Sequence, residues 1–199
     1  MQKIYHTPAE LQTALASAIN GNQELPTHDL VYDDVLIDHG MVRSIQDLNI
    51  LVTQSNVRDR GTDPAPRTGI IALFEGPSTS AKILITNMLA TQAGVETTII
   101  DLSKVSSKYI GETEKNLARI FDAADKNGNI IFFDEADALF GKRSNIKDSH
   151  DRYANIEVSY LTRLAENRVG LTIVSVRSKG NIDEAFLRRL RATISFPIK

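Results

Sequence analysis

The sequence predicts an α/β domain built on a five-stranded parallel sheet between two layers of helices. The first observation is that, from Gly69 onward, short apolar runs alternate with longer segments of helical periodicity. The second is that these runs are apolar at successive positions, as parallel strands are when helices cover both faces of their sheet. Binding residues of such sheets gather at the carboxyl ends of the strands. The predicted strands are 69–74, 97–101, 129–133, 171–176 and 192–196, and the predicted helices are 82–92, 112–125, 151–167 and 183–190.

The chain before Gly69 has weaker patterns. Thr7, Pro8 and Glu10 are typical of a helix start, and Asn20-Gly21 is typical of a helix end. We interpret this helix as a packing element rather than as an arm that binds a partner. We therefore divide the chain into an N-terminal helix with its connector at 1–30 and a core domain at 31–199. The core begins with an extended segment at 31–37, a helix at 41–54 and a loop at 55–68.

Composition and charge exclude several classes of protein. The chain has 199 residues, a net charge of -2 and no cysteine, so disulfides and thiolate metal sites are excluded. It has no basic stripe interleaved with aromatic residues, which argues against nucleic-acid binding. No apolar run approaches the roughly 20 residues that cross a bilayer, and the N-terminus lacks the apolar stretch of a signal peptide. We expect a cytoplasmic protein that binds neither nucleic acid nor membrane.

A candidate phosphate-binding loop lies between the strand at 69–74 and the helix that follows it. Its residues are Gly76, Pro77, Ser78, Thr79, Ser80, Ala81, Lys82 and Ile83. The pattern G-x-x-x-x-G-K-[ST] is matched only at Gly76 and Lys82, whose ammonium group can reach β- and γ-phosphate oxygens. Ala81 adds a Cβ where the backbone approaches phosphate, Ile83 lacks the hydroxyl that ligates Mg²⁺, and Thr79 stiffens the loop. These residues predict a phosphate loop by descent, but an inefficient one.

Two adjacent acids, Asp134 and Glu135, follow the buried strand at 129–133. In P-loop enzymes the first acid orients Mg²⁺ and the second polarises the attacking water. Acids that begin a solvated helix would give the same dipeptide. The position after a buried strand, about fifty residues beyond the phosphate-loop candidate, favours the catalytic interpretation. We therefore predict that Asp134 ligates Mg²⁺ and that Glu135 is catalytic.

Three segments in this order resemble the large domain of AAA-family ATPases, and the similarity extends from about Tyr32 to Pro197. Residues 106–114 resemble the first pore loop and the helix after it, 133–143 the Walker B segment, and 181–191 the second region of homology. The resemblance implies the three-layer α/β/α fold of P-loop NTPases. The sequence of these segments also resembles that of AAA proteins encoded beside phage-tail-like contractile injection systems.

The resemblance implies roles for two further sets of residues. Arg188 and Arg191 align with two arginines that act on the nucleotide of a neighbouring subunit. The alternative is that they are solvated cations at a helix end, which would give the same sequence pattern. Tyr109, with Lys108 and Ile110, aligns with the pore loop that grips polypeptide; the alternative is a surface or packing tyrosine. The implied assembly is a homo-oligomeric ring, such as a hexamer, that uses ATP and Mg²⁺ and acts on a protein substrate or assembly partner.

Two departures from the family pattern leave the activity open. Arg177 stands where the family has a polar sensor, usually asparagine. The last predicted strand comes just before Lys199, so we expect the family's helical lid to be absent. One hypothesis is a working motor in which ATP hydrolysis remodels a protein. The other is a non-hydrolysing scaffold or assembly subunit that keeps the fold.

Overall fold

A computed structural model describes residues 3–19, 29–59, 69–107, 109, 111–140 and 150–199. Its N-terminal part contains β1 (Lys3–Tyr5), α1 (Pro8–Ile19), β2 (Leu30–Tyr32), β3 (Val35–Ile37) and α2 (His39–Asp59). The following part contains β4 (Ile70–Glu75), α3 (Thr79–Ala93), β5 (Thr97–Asp101), α4 (Leu102–Val105), α5 (Glu112–Asn127), β6 (Ile130–Asp134), α6 (Asp137–Phe140), α7 (His150–Asn167), β7 (Leu171–Val176), α8 (Glu184–Leu187) and β8 (Ala192–Ser195).

The predicted sheet is confirmed: five strands pair in the order β5-β6-β7-β4-β8, and every pair is parallel. In this register Glu75 at the end of β4 lies beside Val176 at the end of β7. Phe133, one residue before the end of β6, lies beside Val174. The loops after β4, β6 and β7 therefore leave the sheet at one carboxyl edge, where the sequence analysis expects the site.

Helices cover both faces of the sheet, which gives the predicted three layers. Along β4 the side chains alternate between two buried apolar clusters. Ala72 and Phe74 pack in one cluster with residues of α1, α2 and α3. Ile71 and Leu73 pack in the other with residues of α5 and α7. Burial on both faces explains why β4 is continuously apolar in sequence.

The extended segment predicted at 31–37 is instead a hairpin, and it belongs to a second sheet with the order β1-β2-β3. Asp33 and Asp34 form its two-residue turn with φ values of 49° and 60°. Such turns favour asparagine or glycine, which tolerate positive φ, so Asp-Asp is a weak turn signal. Strand β1 was not predicted either, because three residues are too few to reveal a period.

Backbone bonds fix this hairpin to the end of the core domain. Leu36 N donates to Pro197 O at 2.9 Å, and Lys199 N donates to Asp34 O at 2.8 Å. The turn is thereby held beside the carboxyl edge of the large sheet, since Phe196 N in turn donates to Glu75 O at 2.7 Å.

Two further predictions concern the helix at 183–190 and the irregular segments of the chain. The helix predicted at 183–190 is only Glu184–Leu187, because the chain then turns toward β8. The loop predicted at 55–68 begins later than expected, because α2 continues to Asp59. Most of the connector predicted at 22–30, the rest of that loop, and Lys108 and Ile110 lie outside the described residues. Within the described ranges, no helix combines the length and the apolar character required to cross a membrane.

Candidate functional site

Asp134 and Glu135 leave the sheet at the carboxyl end of β6. Asp134 is the last residue of the strand, and both acids are half-buried. Glu135 has a φ of 51°, a left-handed conformation that is uncommon for a residue with a Cβ. The turn is held by Ala136 N, which donates to Ser175 O at 3.0 Å. Residues with such backbone strain cluster at functional sites, so this turn is consistent with the catalytic interpretation of Glu135.

Lys82 and Asp134 are joined through the hydroxyl of Ser175. Lys82 Nζ donates to Ser175 Oγ at 3.1 Å and to Val176 O at 2.8 Å. Ser175 Oγ in turn donates to Asp134 Oδ1 at 3.0 Å. Ser175 was not predicted as a site residue, although a serine is uncommon in a strand as apolar as β7. The phosphate-loop lysine and the first acid therefore share one buried hydroxyl.

The environment of Lys82 weakens its hold on its proton. The residue is only 2% exposed. Burial lowers the pKa of its ammonium group from 10.5 to about 8, although the negative charges of Asp134, Asp137 and Glu135 oppose this shift. Since a pKa of about 8 lies above neutral pH, most Lys82 side chains remain charged there and can bind a phosphate oxygen.

Gly76 is required here by packing. It has a φ of 139°, and a Cβ at this position would lie 2.4 Å from Phe196 O. Its N–H donates to Val176 O at 3.0 Å, the same carbonyl that accepts from Lys82. The match of Gly76 to the phosphate-loop pattern is thus explained by the close approach of β8 without any ligand.

The remainder of the loop has the geometry of an ordinary capped helix start. Ser78 is the N-cap of α3, and its Oγ accepts from Ala81 N at 3.2 Å. Lys82 N donates to Ser78 O at 3.4 Å. Pro77 is exposed, and Thr79 and Ser80 form the first turn. Two of the N–H groups expected to face phosphate are therefore bonded within the loop.

Asp33, which the sequence analysis did not identify, contacts this loop from the hairpin turn. Its Oδ2 accepts hydrogen bonds from Ser78 Oγ at 2.6 Å and from Ser80 Oγ. These bonds, the one from Ser78 first, lower the pKa of the Asp33 carboxyl, so the group is ionised at neutral pH. A fixed negative charge thus lies beside the start of α3, where an anionic ligand would bind.

We expect Asp33→Ala to tighten nucleotide binding about three- to tenfold, because it removes a like charge close to the phosphates. Titration of the full chain with ATP measures the effect. Asp34→Ala is the matched control, since Asp34 occupies the same turn with a similar φ. Equal affinities for the two variants would show that the Asp33 carboxylate does not oppose binding.

Arg177 follows β7 directly and pairs with the second acid. Its Nη2 lies 3.4 Å from Glu135 Oε1, and its backbone N donates to Asp137 Oδ2 at 2.9 Å. The side chain of Arg177 is 75% exposed and that of Glu135 43% exposed. The position expected to hold a neutral sensor thus holds a cation in contact with Glu135.

The residues present do not fit a Mg²⁺ ion ligated in the usual way. The alkyl side chain of Ile83 packs against the apolar cluster of α1–α3 and has no oxygen to offer. Asp134 offers a single carboxylate to the metal, and its Oδ1 already accepts a hydrogen bond from Ser175 Oγ. Among the described residues, no group of three His, Cys, Asp or Glu side chains could hold a metal ion.

Arg188 and Arg191 are exposed and lie away from this site. Arg191 N donates to Ile71 O at 2.8 Å, near the amino end of β4. At about 3.3 Å per residue, β4 separates Arg191 from the phosphate loop by roughly 13 Å. The arginine between them, Arg189, instead bonds Glu166 Oε1 at 2.9 Å. Both predicted fingers are exposed, and the backbone of Arg191 lies toward the opposite end of β4 from its own phosphate loop.

Tyr109 is 77% exposed, which excludes the alternative of a packing tyrosine. Its N–H donates to Ser107 Oγ at 3.2 Å. It lines an open cleft of about 300 Å³ with residues of α5. The pore-loop role itself stays a prediction.

Comparison with known proteins identifies a family. Residues 72–198, more than half of the chain, match the family described as "ATPase family associated with various cellular activities (AAA)". The ATPase family gene 2 protein of Schizosaccharomyces pombe is 33% identical over 118 residues, which are 58% of this chain and 15% of that protein.

Two other relatives are described as peroxisomal ATPase PEX6. The protein of Candida glabrata is 32% identical over 133 residues, 64% of this chain and 13% of its own length. That of Eremothecium gossypii is 34% identical over 127 residues, 61% of this chain and 12% of its own length. The chain therefore matches only about one-seventh of the length of these relatives.

Proposed function

Because the chain belongs to the AAA family of ATPases, we propose that it binds ATP at a subunit interface and hydrolyses it slowly, in the service of protein remodelling or assembly. The observation that carries this proposal is the bonded series Lys82, Ser175 and Asp134 with Glu135 beside it. In phosphoryl transfer, catalysis is mostly positioning and charge stabilisation. The series positions a cation and the acids at the edge where the phosphate loop begins.

Each residue of the site has a distinct role in this proposal. Lys82 binds the β- and γ-phosphate oxygens after releasing Ser175 and Val176. Glu135 accepts a hydrogen bond from the attacking water and thereby orients and polarises it. Arg188 and Arg191 approach the phosphates from a neighbouring subunit, where they stabilise the charge of the transition state.

Three features support slow rather than ordinary turnover. Ala81 N is bonded to Ser78, so nucleotide binding must first open the helix cap. Asp33 repels the incoming phosphates. Ile83 cannot ligate Mg²⁺, so the ion that the family uses with ATP has at best weakened ligation through Asp134.

The same features support a second candidate, a non-hydrolysing subunit that acts as a scaffold. Within the phosphate loop Ala81 N is bonded to Ser78, and Glu135 is paired with Arg177. A domain of this kind would keep the surfaces for assembly and lose turnover. The two candidates differ in one measurable quantity, which is Mg²⁺-dependent ATP hydrolysis.

For partners, we propose a homo-oligomeric ring that acts on a protein, with Lys108, Tyr109 and Ile110 as the segment that contacts polypeptide. The exposure of Tyr109 supports this assignment. The relatives include ATPases whose names place them at peroxisomes. The similarity to AAA proteins encoded beside contractile injection systems suggests an assembly apparatus as the client, and a cytoplasmic location.

An experiment on the two arginines tests the interface. We expect Arg188→Ala with Arg191→Ala to lower ATP turnover about 10³-fold, because a finger arginine contributes at least this much in related enzymes. Arg189→Ala is the control, since Arg189 pairs with Glu166 within the subunit.

Mixing distinguishes action between subunits from action within one. The double arginine variant and Glu135→Gln are each expected to have almost no turnover alone. Their mixture is expected to regain turnover, because an intact Glu135 site then meets intact arginines of a neighbour. If the mixture stays inactive while both variants assemble, the interface role is wrong. If the unmodified chain binds ATP without any turnover, the scaffold candidate is correct.

A further inference from the structure

Two cations lie at the carboxyl end of β7, Lys82 on α3 and Arg177 at the end of the strand. Lys82 Nζ donates to the carbonyl of Val176, and Arg177 is the next residue along the chain. The backbone of Arg177 is fixed by its bond to Asp137 Oδ2 at 2.9 Å. Burial lowers the pKa of Lys82, and the positive charge of Arg177 lowers it further.

The guanidinium group of Arg177 is held only loosely. Its contact with Glu135 is a single bond of 3.4 Å, and the Arg177 side chain is largely exposed. Single exposed ion pairs of this length contribute little to stability. Guanidinium binds phosphate with two parallel N–H donors, which makes a stronger contact. Arg177 can therefore leave Glu135 for a phosphate group that Lys82 binds.

The site also has little positive charge for a group of phosphates, and the movement of Arg177 from Glu135 to the phosphates would add to it. Nucleotide phosphates are usually neutralised by a lysine together with Mg²⁺. Here Ile83 offers no oxygen to the metal, as described above. Arg177 adds one permanent positive charge at this edge, at the position where the family has a neutral side chain.

We infer that this chain binds the phosphates of a nucleoside di- or triphosphate with little dependence on Mg²⁺, and that Arg177 with Lys82 supplies the positive charge. The inference rests on the proposed function, since it requires nucleotide at the phosphate loop. It assigns Arg177 to the binding machinery.

The test is calorimetric titration of the full chain with ATP and with ADP, in excess Mg²⁺ and in EDTA. We expect the affinity of the unmodified chain to change by less than about threefold between the two conditions. Arg177→Gln is expected to weaken binding in EDTA about ten- to a hundredfold, the usual cost of a lost charged hydrogen bond. Arg177→Lys is expected to recover part of this loss, since it keeps the charge.

Lys179→Gln is the matched control. Lys179 is an exposed cation two residues along, and its Nζ pairs with Glu75 at 3.6 Å instead of with Glu135. Both positions are exposed, so both variants are expected to fold. Binding by the unmodified chain that falls more than about tenfold in EDTA overturns this inference alone. Equal affinities of Arg177→Gln and Lys179→Gln do the same. Absence of binding in every condition overturns the proposed function together with this inference.

Discussion

Replacing Ala81 with Gly and Ile83 with Thr together is expected to raise Mg²⁺-dependent ATP turnover about a hundredfold, since one well-placed transition-state contact contributes about 10²–10³ in rate. Ala81→Gly restores the glycine of the phosphate-loop pattern, and it removes a Cβ that packs in the apolar cluster of α1–α3. Ile83→Thr supplies the missing hydroxyl. The measurement is steady-state phosphate release by the full chain, with and without Mg²⁺.

The double change has a structural cost that must be measured separately. Glycine within a helix costs about 1 kcal/mol relative to alanine, and loss of the buried part of Ile83 costs a similar amount. Because α3 is packed against the core, we expect the variant to fold with reduced stability. Urea unfolding of the same sample separates a failure to fold from a failure to bind.

Glu135→Gln in the restored chain serves as the control for the chemistry. It is expected to abolish the gain in turnover and to leave ATP affinity nearly unchanged, since the role proposed for Glu135 is to polarise water rather than to bind the nucleotide. A restored chain that folds and still binds no nucleotide would show that the substitutions at Ala81 and Ile83 do not correct the main defect. An unmodified chain that hydrolyses ATP as fast as the restored one would contradict the diagnosis altogether.

The large sheet was predictable because its signals are local and strong. Buried parallel strands are mostly apolar at successive positions, as in Ile70–Glu75 and Leu171–Val176, and the helices Glu112–Asn127 and His150–Asn167 have clear periods. The N-terminal hairpin was predicted only as one extended segment. Its turn uses Asp33 and Asp34, whose left-handed conformations are stabilised by contacts with distant parts of the chain that no local pattern reveals.

The site was predictable in its motifs and unpredictable in its contacts. The positions of Lys82, Asp134 and Glu135 follow from where strands end. Ser175 contacts Asp134 across 41 positions of sequence, and Asp33 contacts Ser78 of the phosphate loop across 45 positions. Arg168 is a similar case: it follows a helix, where a solvated cation is expected, yet it is buried and donates to Asp125, Asn129 and Leu171. Such contacts depend on the packing of separate elements.

Lys82→Met is expected to raise the free energy of unfolding at pH 7 by about 3 kcal/mol while abolishing nucleotide binding. The estimate comes from the pKa of Lys82, which falls from 10.5 to about 8 on folding. The substitution leaves no buried polar group unpaired. Val176 O keeps the bond from Gly76 N, and Ser175 keeps its bond to Asp134.

The dependence on pH gives the sharper test. The folded pKa is the lower one, so between about pH 8 and 10.5 the unfolded chain binds more protons, and the stability of the unmodified protein rises with pH. The stability advantage of Lys82→Met is therefore expected to be constant below pH 8 and to shrink above it. Urea unfolding at several pH values measures this difference. Lys104→Met, at an exposed lysine, is the control and should show a difference near zero throughout.

A positive result would also bear on function. A buried ammonium group that lowers stability at neutral pH has no structural reason to be present, since an apolar side chain of the same length fills the space. Residues that reduce stability in this way are typical of binding and catalytic sites. A fold that keeps Lys82 at this cost is therefore more consistent with a nucleotide-binding domain than with a scaffold. A difference that stays flat between pH 7 and 10, or a Lys82→Met variant no more stable than the unmodified chain, would remove this argument.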